Sequence, residues 1–341
     1  MNALVDDGVA GALLLAVSAY STAGGTDYGA GIWDLLAGRF RNADQVHALI
    51  DHAMAPVWEA NNVWLVFAAV ICWTGFPLLF ESVFLSLYPL FALALLGLIL
   101  RGAFFAFRKV ATTSRSRLAA TRVFGLSSLL APFSFAAALG AIASGKVGAG
   151  GPVVPVWQAC LDPLAIAFGV VALAATAFSG ASFLVGDARR YQDRSERGAD
   201  LVEYFRMRTV TAAIALLLVS LIALMLIAAE SPDVFRGMVA GLGLPFALTA
   251  VLAVLAVGVL MWRRTYLWYR VLTVMGVGSF VFAWGFGQAP YVLPGHLTIQ
   301  QAAGAPQIEA LLLVITAIAL ILVIPSLLLL YTLDQRSALE S

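Results

Sequence analysis

The chain has 341 residues, of which 62% are hydrophobic and 11% are charged, and its mean hydropathy is +0.93. A chain of this composition has too little polar surface to cover a soluble domain, so it is predicted to be an integral membrane protein. The net charge of +1 indicates neither nucleic acid nor an acidic macromolecule as a partner.

Nine apolar segments are long enough to cross the roughly 30 Å hydrocarbon core of a bilayer as helices. No alternating strand pattern favours a barrel, so the predicted fold class is an all-α integral membrane protein that forms one polytopic domain over 1–341. In chain order, the predicted spans are 9–36, 55–79, 82–107, 123–144, 161–185, 209–229, 236–261, 271–292 and 308–332.

The distribution of Lys and Arg predicts the orientation, because cytoplasmic loops retain cations. With nine spans and the N-terminus outside, 18 of the 20 Lys and Arg residues fall on the cytoplasmic side, and Lys146 and Arg236 fall outside. The C-terminus is then predicted to be cytoplasmic. Asp162 followed by Pro163 is typical of an N-cap and a first-turn proline, and predicts the start of the fifth span at the outer face.

The first span contains several glycines between residues 24 and 31. They do not form a phosphate-binding loop, because the lysine and the preceding strand of such a loop are missing. Two interpretations are open: the glycines allow another backbone to approach closely, or they interrupt the helix.

The segment 51–64 places an acid, Glu59, and two amides, Asn61 and Asn62, beside Trp58 at the start of the second span. A charged side chain at the centre of a membrane helix costs about 2.5 to 3.5 kcal/mol on insertion scales, and less near the interface. An acid in this position therefore calls for a reason, and transport, catalysis and packing are all open.

The predicted topology places Asp27, Glu59 and Arg101 in one layer near the cytoplasmic surface. One hypothesis is a proton relay, because acids inside a bundle can take up and release protons. The alternative is a static polar cluster, in which Arg101 neutralises one acid and the amides satisfy the other. Glu81 is predicted to lie at the outer turn between the second and third spans, as a solvated interfacial carboxylate.

His47, His52 and His296 are all predicted to lie in loops. A haem inside a helical bundle needs an axial side chain at membrane depth, so the chain is predicted to bind no haem itself. Carboxylates and histidines do not occur at metal-ligand spacing, and no nucleophile has a histidine placed to activate it. The sequence therefore predicts no catalytic or metal site in this chain.

Residues 55–65 (APVWEANNVWL) resemble subunit II of the cytochrome bd-type quinol oxidases, whose pattern there is a proline, Trp-Asp-Gly-Asn and Val-Trp-Leu. Residues 26–31 resemble the Phe-Asp-x-Gly-x-Gly of that family, and residues 100–102 resemble the part that holds its arginine at the end of helix three. Residues 325–331 resemble its final-helix proline, leucines and tyrosine. Three departures from the pattern are Thr26 for an aromatic residue, Glu59 for an aspartate and Ala60 for a glycine.

The resemblance implies two four-helix bundles plus one helix, with units at 1–145 and 161–292 and a final helix at 308–332. It also implies a heterodimer with a haem-bearing subunit I, sometimes with a small single-helix subunit. Subunit I of the family oxidises quinol and reduces dioxygen to water, so haems b and d are expected in that partner. A bacterial or archaeal cytoplasmic membrane is the expected location.

For subunit II, the resemblance implies a haem-free protein that stabilises the complex and lines a proton path from the cytoplasm. The acids of that path fall on Asp27 and Glu59, with Arg101, Asn61 and Asn62 as supporting polar residues and Trp58 beside them. No cofactor is expected to bind directly, apart from a possible structural quinone or lipid among the aromatic residues near the helix ends.

Two alternatives stay open. A proton-coupled secondary transporter is typically marked by broken helices and acids at the midplane. Here the predicted acids lie off the midplane, and the short repeat between residues 19–21 and 177–179 is parallel rather than inverted. The other alternative is a purely structural membrane subunit.

Overall fold

The structure, a computed structural model, describes residues 2–38, 43–54, 58–192 and 198–335. These residues form a bundle of long helices joined by short helices and two small β-hairpins. In chain order, the elements are α1 (Asn2–Ala37), α2 (Ala43–Met54), α3 (Trp58–Gly75), α4 (Pro77–Val110), α5 (Ser114–Ala143), β1 (Val147–Gly148), β2 (Gly151–Pro152), α6 (Val156–Cys160), α7 (Pro163–Gln192), α8 (Gly198–Glu230), α9 (Pro232–Val239), α10 (Leu244–Trp262), α11 (Tyr269–Gln288), β3 (Tyr291–Leu293), β4 (Leu297–Thr298), α12 (Ile299–Ala302) and α13 (Pro306–Gln335).

Among the described residues, eight helical segments are long and apolar enough to cross a membrane. The all-helical, multi-pass fold class is therefore confirmed. The second predicted span, 55–79, corresponds to α3, whose apolar part (Asn61–Gly75) is shorter than the other eight. The count of nine spans and the orientation stay predictions.

Two predicted spans extend beyond the ends of the helices in the structure. The span 55–79 stops at Gly75, because Pro77 at the first position of α4 starts a new helix there. The span 271–292 stops at Gln288, where Pro290 supplies no backbone donor and β3 begins.

The predicted span 236–261 is two helices rather than one. The short α9 ends at Val239, and α10 begins at Leu244. Gly243 makes the reversal possible, because its backbone N–H donates to the carbonyl of Gly237 at 3.0 Å. A Cβ on Gly243 would lie only 2.7 Å from the carbonyl oxygen of Ala283, so a larger residue would not fit.

The bundle has two distinct ends, which we call the α2 end and the hairpin end. The α2 end contains α2, and the hairpin end contains the β1–β2 and β3–β4 hairpins. Helix α1 runs from the hairpin end to the α2 end. At the hairpin end, Gln300 donates to Asp7 at 3.0 Å, and the N–H of Gly304 donates to the carbonyl of Gly75 at 2.8 Å. These contacts join the start of α1, the end of α3 and the segment around α12.

The predicted start of the fifth span is confirmed at the hairpin end. α7 begins at Pro163, and the carboxylate of Asp162 accepts a hydrogen bond from the N–H of Leu164 at 2.9 Å. Lys146, in the loop before β1, forms an ion pair with the same carboxylate. The charge of Asp162 is thereby satisfied by a helix N-terminus and a cation together.

The glycines between residues 24 and 31 do not interrupt α1, so the interpretation of a broken helix is wrong. The interpretation of close backbone approach is confirmed, because Gly29 packs directly against Gly180 of α7. A Cβ on Gly29 would lie 2.7 Å from the Cα of Gly180. One turn further along α1, the indole of Trp33 donates to the carbonyl of Ala177 at 2.8 Å.

The apolar core is continuous between the first and second halves of the chain. One buried cluster joins residues of α1 and α5, such as Trp33 and Phe124, to Phe178 of α7, Phe205 of α8 and Met261 of α10. The predicted division into units at 1–145 and 161–292 therefore describes two units that share a core, and the division itself stays a prediction.

We expect Gly29→Ala to destabilise the protein by at least about 1 to 3 kcal/mol, the usual range for overpacking a core. The reason is that the added methyl would meet backbone atoms of α7, which cannot rotate away. Gly11→Ala is the matched control, since Gly11 is exposed on the same helix and its added methyl would meet nothing within 4 Å. Thermal unfolding of the purified protein in detergent measures both. Equal stability of the two variants would contradict the close crossing.

Candidate functional site: two buried ion pairs between α1 and α4

Asp27 of α1 and Arg101 of α4 form an ion pair in the interior of the bundle. Arg101 Nη2 donates to the Asp27 carboxylate at 2.7 Å and to the Asp27 carbonyl at 2.9 Å, and Nη1 donates to the hydroxyl of Ser128. Each side chain is 4% exposed. Charges this deeply buried are tolerated because they neutralise each other and their hydrogen bonds are satisfied.

Aromatic rings surround the guanidinium of Arg101. Its Cζ lies 4.7 Å from the ring centroid of Tyr28 and 4.6 Å from that of Phe124, which are distances typical of cation–π contacts. The hydroxyl of Tyr28 lies 2.9 Å from that of Tyr20. Gly31 leaves room for the arginine, because a Cβ there would lie 2.8 Å from Arg101 Nη1.

The predicted polar partners on α3 are only partly described. Asn61 is buried against α1, since a Cβ on Gly24 would lie 3.0 Å from its amide nitrogen. Its Oδ1 accepts no hydrogen bond from the described residues. Asn62 is half-buried. Asn61 of α3 therefore meets α1 at Gly24, about one helical turn before Asp27.

Glu59 and Trp58 occupy the first turn of α3, but their side chains lie outside the described part of the structure. The predicted juxtaposition of Asp27 and Arg101 is therefore present in the fold, whereas the predicted position of the Glu59 carboxylate stays a prediction.

A second ion pair, which sequence reasoning missed, joins the same two helices. Arg108 of α4 forms ion pairs with Asp34 of α1 and with Asp51 of α2. The other carboxylate oxygen of Asp34 lies 2.5 Å from Nδ1 of His47. We call these four residues the His47 cluster.

The spacing in the sequence contains a signal for the second pair. Asp34 follows Asp27 by seven residues, and Arg108 follows Arg101 by seven residues. Seven residues are about two helical turns, or roughly 10 Å, so each residue lies on the same face of its helix as the first. If two parallel helices form one such ion pair, the residues seven positions later on each helix are therefore placed to form a second one.

The prediction that all three histidines lie in loops is wrong for His47 and His52, which lie in α2. The segment 43–54 is too polar to span a membrane. It is nevertheless amphipathic, with Val46, Leu49 and Ile50 buried against the bundle and Asp51 exposed. A short surface helix of this kind needs only one apolar stripe.

The four side chains of the His47 cluster differ in how far they are buried. Asp34 is fully buried and Arg108 is nearly so, whereas about half of the Asp51 side chain and a quarter of the His47 side chain are exposed. The hydrogen bond to Asp34 raises the pKa of His47 above its ordinary value of 6.5, and this effect outweighs the partial burial and the nearby Arg108, which both lower that pKa. Protonation of His47 is thus favoured by the folded chain.

The ring of Phe124 lies close to both guanidiniums. Its centroid lies 4.6 Å from Cζ of Arg101 and 4.9 Å from Cζ of Arg108. Phe124 is fully buried. The ring therefore attracts both guanidiniums through cation–π contacts.

The prediction that Glu81 lies in a turn is wrong. Helix α4 begins earlier than expected and includes Glu81. Its side chain is exposed, near the hairpin end.

An apolar cleft of about 1220 Å³ opens near the hairpin end and reaches inward to Tyr20. Leu14, Phe91, Phe135 and Trp284 contribute to its wall. A cleft of this size and lining suits a hydrophobic ligand.

The described histidines His47 and His296 lie at the two ends of the bundle rather than in its interior, where an axial haem ligand is needed. Nδ1 of His47 is engaged by Asp34 at the α2 end, and Nε2 of His296 lies 3.0 Å from the carbonyl of Gly145 at the hairpin end. The described residues also contain no group of three or more His, Cys, Asp or Glu side chains that could hold a metal ion. The absence of haem from this chain stays a prediction.

Comparison with known proteins identifies the family. Residues 7–334 match the family described as cytochrome bd terminal oxidase subunit II. The chain belongs to this family. The fold of this subunit II is also similar to a chain in the structure of bd oxidase from Geobacillus thermodenitrificans, with a TM-score of 0.73 and 22% identity over 97% of this chain and 98% of that chain. Among curated proteins, none matches its sequence.

Membership of the family makes this subunit II part of a bd-type oxidoreductase complex, together with a partner oxidase subunit. The family implies haems in such a complex, and this chain is a multi-pass membrane protein. The predicted family is thus confirmed, while the roles of single residues are matters for proposal.

Asp27→Asn and Arg101→Gln are each expected to destabilise subunit II by about 3 to 5 kcal/mol, because each leaves one buried charge without its partner. The double variant should lose less than the sum of the two. Thermal unfolding of the purified protein gives the three values. Arg236→Gln is the control, since its ion pair with Asp233 is exposed and should contribute only about 0 to 1 kcal/mol. Additive single effects would contradict a direct interaction.

Proposed function

We propose that this chain is the haem-free subunit II of a bd-type terminal oxidase, which passes electrons from quinol to dioxygen and forms water. In this proposal it forms a heterodimer with a subunit I that holds haems b and d, and a small single-helix subunit is a further candidate partner. The complex would lie in a bacterial or archaeal cytoplasmic membrane, with the α2 end toward the cytoplasm. The gathering of Arg residues at the α2 end supports this orientation.

The reduction of dioxygen to water consumes protons, and we propose that this subunit lines their path from the α2 end. The observation that supports the path best is the buried Asp27–Arg101 pair, because an ionisable pair inside a membrane bundle is a functional site by default. Asp27 would hold and release the proton at its carboxylate. Arg101, held by Ser128 and by two aromatic rings, would stabilise the anionic state of Asp27 after the proton leaves.

Glu59 is proposed as the second acid of the path. It lies in the first turn of α3, which begins at the α2 end, and Asn61 lies one turn from Asp27. The unsatisfied Oδ1 of Asn61 is a buried acceptor, which a water molecule could satisfy. Asn61 would in that case bridge the two acids.

A purely structural role is the second candidate, and one observation favours it. Among the described residues, the hydrogen bonds of the Asp27–Arg101 pair join α1, α4 and α5, as a static link between helices would. In that case the subunit would only stabilise its partner. The two candidates differ in what a neutral substitute for either acid does to the rate.

The apolar cleft is proposed to hold a structural quinone or a lipid chain. Its wall is formed mainly by aliphatic and aromatic side chains, with Tyr20 and Gln288 among the few polar groups. Such a ligand would fill the cleft without taking part in electron transfer.

We expect Glu59→Gln and Asp27→Asn to lower quinol oxidase turnover of the intact complex by about tenfold or more, because a neutral amide cannot carry a proton. Glu81→Gln is the matched control, as an exposed carboxylate at the hairpin end. Oxygen consumption per complex is the measurement, and haem content and subunit ratio show whether each complex has assembled. Unchanged turnover in intact Glu59→Gln and Asp27→Asn complexes would rule out the proton path, whereas poor assembly with normal turnover per complex would favour the structural role.

The natively purified complex is expected to show haem absorption bands and to contain a larger membrane subunit. The bands should stay with the larger subunit when the two are separated, because the described histidines of this chain, His47 and His296, lie at the ends of the bundle rather than in its interior. A colourless homo-oligomer would instead favour a proton-coupled secondary transporter.

A further inference from the structure

We infer that His47 and Asp34 form the loading stage of the proton path, in which His47 takes up protons at the α2 end and passes them to Asp34. This inference rests on the proposed function, since it extends the path outward from Asp27. It assigns a proton-transfer role to two residues beyond Asp27 and Glu59.

The geometry connects an accessible group to a buried one. Nδ1 of His47 lies 2.5 Å from the carboxylate of Asp34, which is short enough for direct proton transfer along a hydrogen bond. The His47 side chain is 26% exposed and the Asp34 side chain is fully buried. A proton that reaches the imidazole from solvent can therefore pass to an acid that solvent does not reach.

The charges of the His47 cluster favour protonation of its histidine. Two carboxylates, Asp34 and Asp51, both pair with the guanidinium of Arg108, so these three side chains together carry one excess negative charge when His47 is neutral. A proton on His47 brings the total to zero. The Asp27–Arg101 pair is already neutral, so an extra proton is stabilised more by the His47 cluster than by the deeper pair.

These charges come from the helices packed around His47. Asp34 lies on α1, Arg108 on α4 and Asp51 on α2 itself. Helix α7 also packs against α2, but the charges at its end have other contacts. Asp187 accepts a hydrogen bond from Arg270 at 3.1 Å, and Arg189 lies over the ring of Tyr266 at 4.3 Å.

The transfer step is balanced and involves no change of oxidation state. A proton from water binds Nε2 of His47, the Nδ1–H bond breaks, and that proton forms an O–H bond with the carboxylate of Asp34. The imidazole returns to its neutral form and Asp34 becomes a neutral acid. Arg108 stays hydrogen-bonded to the second carboxylate oxygen of Asp34, so the acid is held in place.

The first test is the pH dependence of turnover in the purified complex. In the native protein, turnover should fall as the pH rises through the raised pKa of His47, because the imidazole then loses the proton that it passes on. His47→Asn keeps a donor toward Asp34 but does not titrate in this range. We expect this variant to turn over at least about tenfold more slowly and to lack that alkaline decline.

The second test is chemical rescue, which a structural role would not produce. Added imidazole should restore turnover of His47→Ala, because it can carry protons to the exposed side of Asp34. His296→Ala is the matched control at the hairpin end, and its turnover should be normal with or without imidazole.

The outcomes separate this inference from the function on which it rests. If Asp27→Asn abolishes turnover while His47→Asn keeps the native rate and pH profile, the loading stage is wrong and the proton path stands. A slow His47→Ala complex that imidazole does not restore, with an unchanged pH profile in His47→Asn, would likewise overturn the loading stage. Unchanged turnover in Asp27→Asn and Glu59→Gln would instead overturn the proposed path itself.

Discussion

A charge inside an apolar helical bundle has to be paired where it lies, because neither water nor a counter-ion reaches it at low cost. Two such pairs join α1 to α4, one through Asp27 and Arg101 and one through Asp34 and Arg108. Because the pairs lie two turns apart on the same faces, together they restrict both the rotation and the relative height of the two helices.

Another face of α1 requires small residues instead of charged ones. There the helix approaches α7 so closely that Gly29 and Gly180 are in backbone contact, and no side chain fits between them. Helix α1 thus combines a charged face that needs α4 with a small-residue face that needs α7. Small residues at helix crossings are typical of membrane bundles, where association depends on close van der Waals packing rather than on the exclusion of water. This explains why α1 lies at the centre of the fold.

The two ion pairs differ in a way that bears on function. The inner pair is neutral, enclosed by Tyr28 and Phe124, whereas the outer one shares Arg108 between two acids and has a titratable histidine beside it. Exposure therefore decreases along α1, from a partly exposed imidazole at the α2 end to a buried carboxylate further in. If the complex forms water from dioxygen as proposed, it consumes protons, and this arrangement suits a subunit that supplies them. It also suits a static scaffold if no proton moves, so the rate measurements are decisive.

The sequence by itself determined the class of fold, the start of α7 at Pro163 and the acid–arginine layer of Asp27 and Arg101, because hydropathy, helix caps and charge placement are local properties of the chain. The family followed from short motifs for the same reason. Only the tertiary structure decided which helix Gly29 contacts and how closely Gly243 approaches Ala283. It also decided that Asp34, His47, Asp51 and Arg108 meet. Those residues lie up to 74 positions apart, and an amphipathic helix as short as α2 gives little hydropathy signal, so their contact depends on how distant helices pack.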